Sequence, residues 1–69
     1  MPYRMITVNG ETLHVREGAT VQELIQTQGY RQDVIAVEYN GRILGKDTYA
    51  TTLLRSGDKL EIVSFVGGG

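Results

Sequence analysis

Two asparagine–glycine pairs, Asn9-Gly10 and Asn40-Gly41, do most to limit the folds open to this chain. Each pair follows a run of mostly apolar residues, "MITV" at Met5–Val8 and "IAVEY" at Ile35–Tyr39. Asn-Gly favours a two-residue type I′ turn, because both central residues of that turn take a positive φ. The sequence therefore predicts two β-hairpins, the first returning through Glu11–Val15 and the second through the short strand "RIL".

One amphipathic helix is predicted between the hairpins, over Val21 to Gln28. Thr20 and Glu23 have the spacing of a capping box, in which each side chain binds the other residue's backbone N–H. Gly29 follows the last turn, where a glycine takes the left-handed conformation at little cost. The apolar stripe of this helix comprises Val21, Leu24 and Ile25.

A fifth strand, Lys59 to Phe65, is predicted after a turn at Ser56-Gly57-Asp58 and a short helical turn near Asp47 to Ala50. One helix packed on a mixed sheet of four or five strands is an α+β arrangement. The order of the elements resembles the ubiquitin-like β-grasp fold. We expect one β-grasp domain over residues 1–65 and a flexible glycine tail over residues 66–69.

The size and charge of the chain argue against several classes of function. A domain of 69 residues buries only about 60% of the surface of its unfolded chain, which leaves little room for an enclosed active site, so we expect no enzyme. Seven Lys and Arg balance eight Asp and Glu, without the basic stripe typical of nucleic-acid binding. No apolar run predicts a membrane helix or a secretion signal. The lack of cysteine fits a cytoplasmic protein.

Three motifs have a structural interpretation that outweighs a chemical one. "GRILGKDT" has three residues between its glycines instead of the four of a phosphate-binding loop, and Asp47 follows its lysine, so it is interpreted as a hairpin and its exit. His14 has no nucleophile or orienting partner in the sequence and is predicted to face solvent. Asp47 and Asp58 are interpreted as turn and capping residues, and no metal site is predicted.

The last predicted strand carries apolar residues on both of its faces. Leu60 and Ile62 are expected in the core, whereas Val63 and Phe65 share the opposite face. Ordering the four residues that come after Phe65 in a partner's channel costs roughly 4–8 kcal/mol. Burial of two large apolar side chains at about 1.5–3 kcal/mol each offsets most of that cost. The pattern favours a docking face of Val63, Phe65 and Val66 beside a thin glycine tail.

The chain resembles the ThiS-type sulfur carriers of thiamine biosynthesis in "MITVNGE", "EYNGRIL" and "IVSFVGGG", and over nearly its whole length. The resemblance implies that the α-carboxylate of Gly69, delivered by a tail containing Gly67 and Gly68, is adenylated and converted to a thiocarboxylate. It implies three partners: an adenylating enzyme of the ThiF/MoeB type, which uses the ATP; a cysteine desulfurase or other persulfide donor, acting indirectly; and thiazole synthase. No permanently bound cofactor is expected.

Two other interpretations stay open at this point. A carrier of the type of the molybdopterin synthase small subunit has the same fold and chemistry, although its usual Pro- and Ser-containing segment before Gly-Gly is absent here. A β-grasp interaction module with an inert tail belongs to a different class and would form no adenylate. The sequence also does not exclude attachment of the tail to lysines of other proteins.

Overall fold

The protein is described by a computed structural model over residues 2–65. Five strands form one sheet in the order β2-β1-β5-β3-β4, in which β1 and β5 are parallel and the other neighbours antiparallel. This confirms the predicted α+β arrangement and both hairpins. The elements are β1 (Tyr3–Val8), β2 (Glu11–Arg16), α1 (Val21–Thr27), β3 (Ile35–Tyr39), β4 (Arg42–Ile43) and β5 (Lys59–Ser64).

The boundaries differ from the predicted ones by one or two residues. The first strand begins at Tyr3 instead of Met5, because Tyr3 pairs with Arg16 on β2. The fourth strand stops at Ile43, one residue before the predicted end, although the next residue still donates its N–H to the Val37 carbonyl at 2.8 Å. Strand ends depend on which backbone groups find partners across the sheet, and local sequence does not encode those partners.

Both Asn-Gly pairs adopt the predicted turn, with φ values of 51° and 82° at Asn9-Gly10 and of 50° and 87° at Asn40-Gly41. Their side chains also bind the central strand. The Asn9 Oδ1 accepts the Ile62 N–H at 2.8 Å, and the Asn40 Oδ1 accepts the Lys59 N–H at 2.8 Å. Each asparagine therefore connects its own hairpin to β5.

The single α-helix of the described residues, α1, has the predicted capping box. The Glu23 N–H donates to the Thr20 hydroxyl at 3.2 Å, and the Thr20 N–H donates to the Glu23 carboxylate at 3.0 Å. Its buried stripe is the predicted one. None of the helices in residues 2–65 is long and apolar enough to cross a bilayer.

Tyr49 is a fully buried core residue that the sequence pattern did not reveal. It follows a short 3-10 turn at Lys46–Thr48, where the sequence predicts a short helical turn near Asp47 to Ala50. Burial raises the pKa of Tyr49, and its hydroxyl makes no hydrogen bond of good geometry in the described part of the chain. The core contains Ile6, Val8, Val21, Leu24, Ile25, Ile35, Val37, Tyr49, Leu54, Leu60 and Ile62.

Candidate functional site

The end of β5 presents the two predicted docking residues that the structure describes. The side chain of Val63 is 59% exposed and that of Phe65 is 65% exposed, while Leu60 and Ile62 on the opposite face are buried. The alternation predicted from the sequence is therefore confirmed for this strand. The remaining predicted site residues lie outside the described residues; they are Val66, Gly67, Gly68 and Gly69.

β5 lies at the centre of the sheet and is bonded on both sides. On one side the Thr7 N–H donates to the Asp58 carbonyl and the Asn9 N–H donates to the Leu60 carbonyl, each at 2.9 Å. On the other side β5 pairs along its length with β3. The strand that leads to the predicted tail is therefore held by two neighbours, and it places its exposed residues at a fixed position.

Two contacts hold Phe65 where β5 ends. Its N–H donates to the Val34 carbonyl at 2.8 Å, which continues the pairing of β5 one residue beyond the strand. The ammonium group of Lys46 lies 5.9 Å from the centroid of the Phe65 ring, within the range of a cation–π interaction, and it also donates to the Gln32 carbonyl at 2.7 Å. Lys46 was not among the predicted site residues, because nothing local relates this lysine to a phenylalanine nineteen positions away.

The outer face of the sheet, defined as the face opposite α1, has an apolar area beside Phe65. Val63 on β5 is paired with Ala36 on β3. Two residue pairs further along, Glu38 is paired with Glu61 on one side and with Ile43 on the other, and Ile43 is 72% exposed. We call Ala36, Glu38, Ile43, Glu61, Val63 and Phe65 the exit surface.

Asp58 fixes the start of β5 from inside the molecule. It is only 8% exposed, and its carboxylate accepts hydrogen bonds from the Tyr39 hydroxyl at 2.6 Å, the Asn40 amide at 3.1 Å and the Arg55 N–H at 2.8 Å. Burial and the bond to this carboxylate raise the pKa of Tyr39 to about 12. The interpretation of Asp58 as a turn and capping residue is confirmed, although its burial was not foreseen.

A groove of the described residues lies away from the exit surface. It has a volume of about 500 Å³ and is formed between β2 and α1 by residues that include Leu13, Val15 and Leu24. His14 also borders it and is exposed, as predicted for a solvent-facing residue. The groove and the exit surface are therefore separate features of the molecule.

Comparison with known proteins identifies the fold and the family. A family model described as "ThiS family" matches residues 2–69. The chain belongs to the ThiS family. It is 35% identical over 66 residues to the sulfur carrier protein ThiS of Bacillus subtilis, an alignment that covers 94% of this chain and 100% of that protein. The crystal structure of the thiamine biosynthesis protein ThiS from Geobacter metallireducens is 32% identical, has a TM-score of 0.79, and is matched over 94% of this chain and 99% of that one.

A second group of relatives is much longer than this ThiS-family chain. The chain is 41% identical over 64 residues to a thiazole synthase of Paramagnetospirillum magneticum and 34% identical over 64 residues to one of Magnetococcus marinus. Each match covers 93% of this chain and 20% of the relative, so the chain spans about one fifth of the length of these relatives.

These matches confirm the predicted β-grasp fold and the predicted family. Of the relatives, one is named a sulfur carrier protein and another a thiamine biosynthesis protein. The interpretations as a passive interaction module and as a molybdopterin-type carrier have no counterpart among these relatives.

Proposed function

We propose that the α-carboxylate of Gly69 carries the sulfur that enters the thiazole ring of thiamine. The match to the Bacillus subtilis sulfur carrier along its full length is the observation that carries this proposal. The family model matches through residue 69, so the glycines of the tail fall within the region that characterises the family. Glycine suits this role because a residue without a Cβ adds no bulk beside the reacting carbon.

The chemistry requires activation of a poor electrophile. A partner enzyme joins the Gly69 carboxylate to the α-phosphorus of ATP and releases pyrophosphate, which gives an acyl adenylate. The terminal sulfur of a persulfide, supplied by a cysteine desulfurase or another donor, attacks the acyl carbon and displaces AMP. A thiol then cleaves the sulfur–sulfur bond and leaves the thiocarboxylate. In this proposal the chain contributes the carboxylate and the surface that delivers it, while the partners contribute the catalytic groups.

The exposed end of β5 supports delivery of the tail by a docking face of Val63, Phe65 and Val66. Ordering a glycine-rich segment in a partner costs roughly 1–2 kcal/mol per residue. Val63 and Phe65 are both more than half exposed, so their burial against a partner returns about 1.5–3 kcal/mol each. Phe65 is already held by the Val34 carbonyl and by Lys46, so its side chain loses less conformational entropy on docking.

The thiazole synthase relatives support thiazole synthase as the acceptor of the sulfur. In these relatives a segment similar to this chain belongs to a protein named thiazole synthase. Sequences that form one polypeptide in some organisms and separate chains in others are expected to act on the same reaction path. The carrier therefore docks on two enzymes in turn, first the adenylating enzyme and then thiazole synthase.

The proposal is tested by the intact mass of the protein after incubation with its adenylating enzyme, ATP and a persulfide donor. We expect a mass gain equal to the exchange of one oxygen for sulfur, located on Gly69. A variant lacking Gly69 should keep the same unfolding temperature and show no gain. Normal thiocarboxylate formation on the truncated chain would refute the proposal.

The docking face is tested by Phe65→Asp, with Tyr3→Asp as the matched control. Tyr3 is 61% exposed and lies on the outer face of β1, at the end of the sheet away from Phe65. We expect Phe65→Asp to weaken binding to the adenylating enzyme by roughly tenfold or more, since about 1.5 kcal/mol or more of burial is lost. Tyr3→Asp should bind normally. Equal affinities of the two variants would exclude this docking face.

A further inference from the structure

Two glutamates oppose each other on the exit surface. Glu38 on β3 and Glu61 on β5 are directly paired, which places their Cα atoms about 5.5 Å apart in a hydrogen-bonded antiparallel pair. Both side chains are on the outer face, because the neighbouring Val37 and Ile62 are buried. Like charges directly opposite each other destabilise a sheet. The pair is therefore unfavourable for the isolated domain.

The described part of the chain does not neutralise this pair. The ion pairs within residues 2–65 join Arg4 to Glu17 and Arg31 to Asp33, and neither involves these glutamates. Lys59 shares the outer face of β5, two residues before Glu61, and makes no ion pair with it. Lys46, whose ammonium group lies over the Phe65 ring, donates to a backbone carbonyl.

Apolar side chains border the two carboxylates on both sides. On β5 the outward-facing residue after Glu61 is Val63, and Phe65 follows it. On β4 the residue paired with Glu38 is Ile43. A partner that covers these apolar residues also removes water from the carboxylates. Burial of unpaired charges is costly, so such a partner needs cationic groups opposite them.

We propose that the exit surface binds a surface of thiazole synthase on which at least one Lys or Arg lies beside an apolar contact area, and that Glu38 and Glu61 accept this cation. The inference rests on the proposed function, which makes thiazole synthase a partner. The long relatives favour this enzyme as the occupant, because in them a segment similar to nearly the whole of this chain belongs to a protein named thiazole synthase. The glutamate pair thus acts as a specificity determinant for the acceptor enzyme.

The test measures binding of the full chain to thiazole synthase of the same organism. The variant is Glu38→Gln with Glu61→Gln, and the control is Glu11→Gln, an exposed carboxylate on β2 at the other face of the sheet. We expect the double variant to bind about tenfold more weakly at low salt, because both carboxylates lose their charge attraction to the partner's cation. The loss should be smaller at 1 M salt, where the screening length is about 3 Å. Glu11→Gln should bind normally.

The unfolding temperature separates this role from a structural one. Removal of the opposed charges should leave the unfolding temperature of the double variant unchanged or higher, while binding weakens. An unchanged affinity, a loss equal to that of Glu11→Gln, or a loss of the same size at low and high salt would overturn the inference. If the double variant binds the adenylating enzyme more weakly but binds thiazole synthase normally, the assignment to thiazole synthase is wrong.

The parallel mass measurement on Gly69 distinguishes the two proposals. If wild-type protein acquires the sulfur and the double variant binds thiazole synthase normally, the function stands and the glutamate inference fails. If wild-type protein acquires no sulfur, the proposed function fails irrespective of the binding result.

Discussion

The two hairpins of the molecule have the same turn sequence and nearly the same turn conformation, yet the two turns are connected differently. The Asn9 Oδ1 accepts the Ile62 N–H, and its amide lies within hydrogen-bond reach of the Ile62 carbonyl at 3.3 Å and of the Tyr30 hydroxyl at 3.4 Å. Asn40 binds the Lys59 N–H and, through its amide, the buried carboxylate of Asp58. The first turn thus contacts neutral groups, whereas the second belongs to a charged network.

The difference comes from where each turn meets the central strand. β1 runs parallel to β5 and ends at Val8, whereas β5 continues. Beyond that point the Asn9 side chain accepts the Ile62 N–H, which a longer β1 would bind with a backbone carbonyl. β3 runs antiparallel to β5, so the turn that follows β3 lies beside the start of β5. There the Asp58 carboxylate accepts three hydrogen bonds. Identical local sequences therefore acquire different roles through topology. Three experiments examine this difference.

The largest effect is expected from Asp58→Ala. The substitution leaves the Tyr39 hydroxyl, the Asn40 amide and the Arg55 N–H without their acceptor, and a hydrogen bond to a charged group is worth about 1.5–3 kcal/mol. We expect the free energy of unfolding to fall by roughly 3 kcal/mol, since water recovers part of this loss. Asp47→Ala, at an exposed carboxylate, should change it by no more than about 0.5 kcal/mol. Chemical denaturation measures the free energy of unfolding of both variants. Similar losses for Asp58→Ala and Asp47→Ala would show that the second turn has no charged network.

A double-mutant cycle is expected to show a smaller effect. Asn9→Gly and Asn40→Gly keep the positive φ of each turn and remove only the side-chain bonds, so each should lower the free energy of unfolding by about 1–2 kcal/mol. Combined with Asp58→Ala, Asn40→Gly should depart from additivity by about 1 kcal/mol, because the two side chains share a bond. Asn9→Gly should be additive within about 0.5 kcal/mol. Equal coupling for both asparagines would remove the distinction between the turns.

The smallest effect is expected from Tyr39→Phe at alkaline pH. The pKa of Tyr39 is about 12 in the folded protein and 10.0 in its ordinary state. Between these values the unfolded chain has lost the tyrosine proton and the folded chain retains it, so wild-type stability falls as the pH rises. The stability advantage of wild type over Tyr39→Phe should be constant below pH 10 and shrink toward pH 12. A difference that is independent of pH would contradict the raised pKa of Tyr39, which comes from burial first and from the bond to Asp58 second.

The fold was predictable because its signals are local. The two Asn-Gly pairs, the capping box of Thr20 and Glu23, and the alternation around Leu60 each depend on residues that are close in sequence, and the structure confirms them. The exposure of Val63 and Phe65 followed from the same alternation.

Other features depended on distant partners and left no local signal. Tyr49 enters the core from an irregular segment without periodicity. The contact of Lys46 with Phe65 and the opposition of Glu38 to Glu61 depend on strand register, which is established only when the sheet assembles. The residues that complete the candidate site were thus the ones that topology brings together.

The placement of β5 has a mechanical consequence. A pull on its carboxyl end acts along the strand, parallel to β1 and antiparallel to β3, so it loads the hydrogen bonds to both neighbours sideways and at the same time. Bonds loaded together in this geometry resist far better than bonds opened one after another from a free edge. We therefore expect tension applied at Phe65 to leave the domain folded.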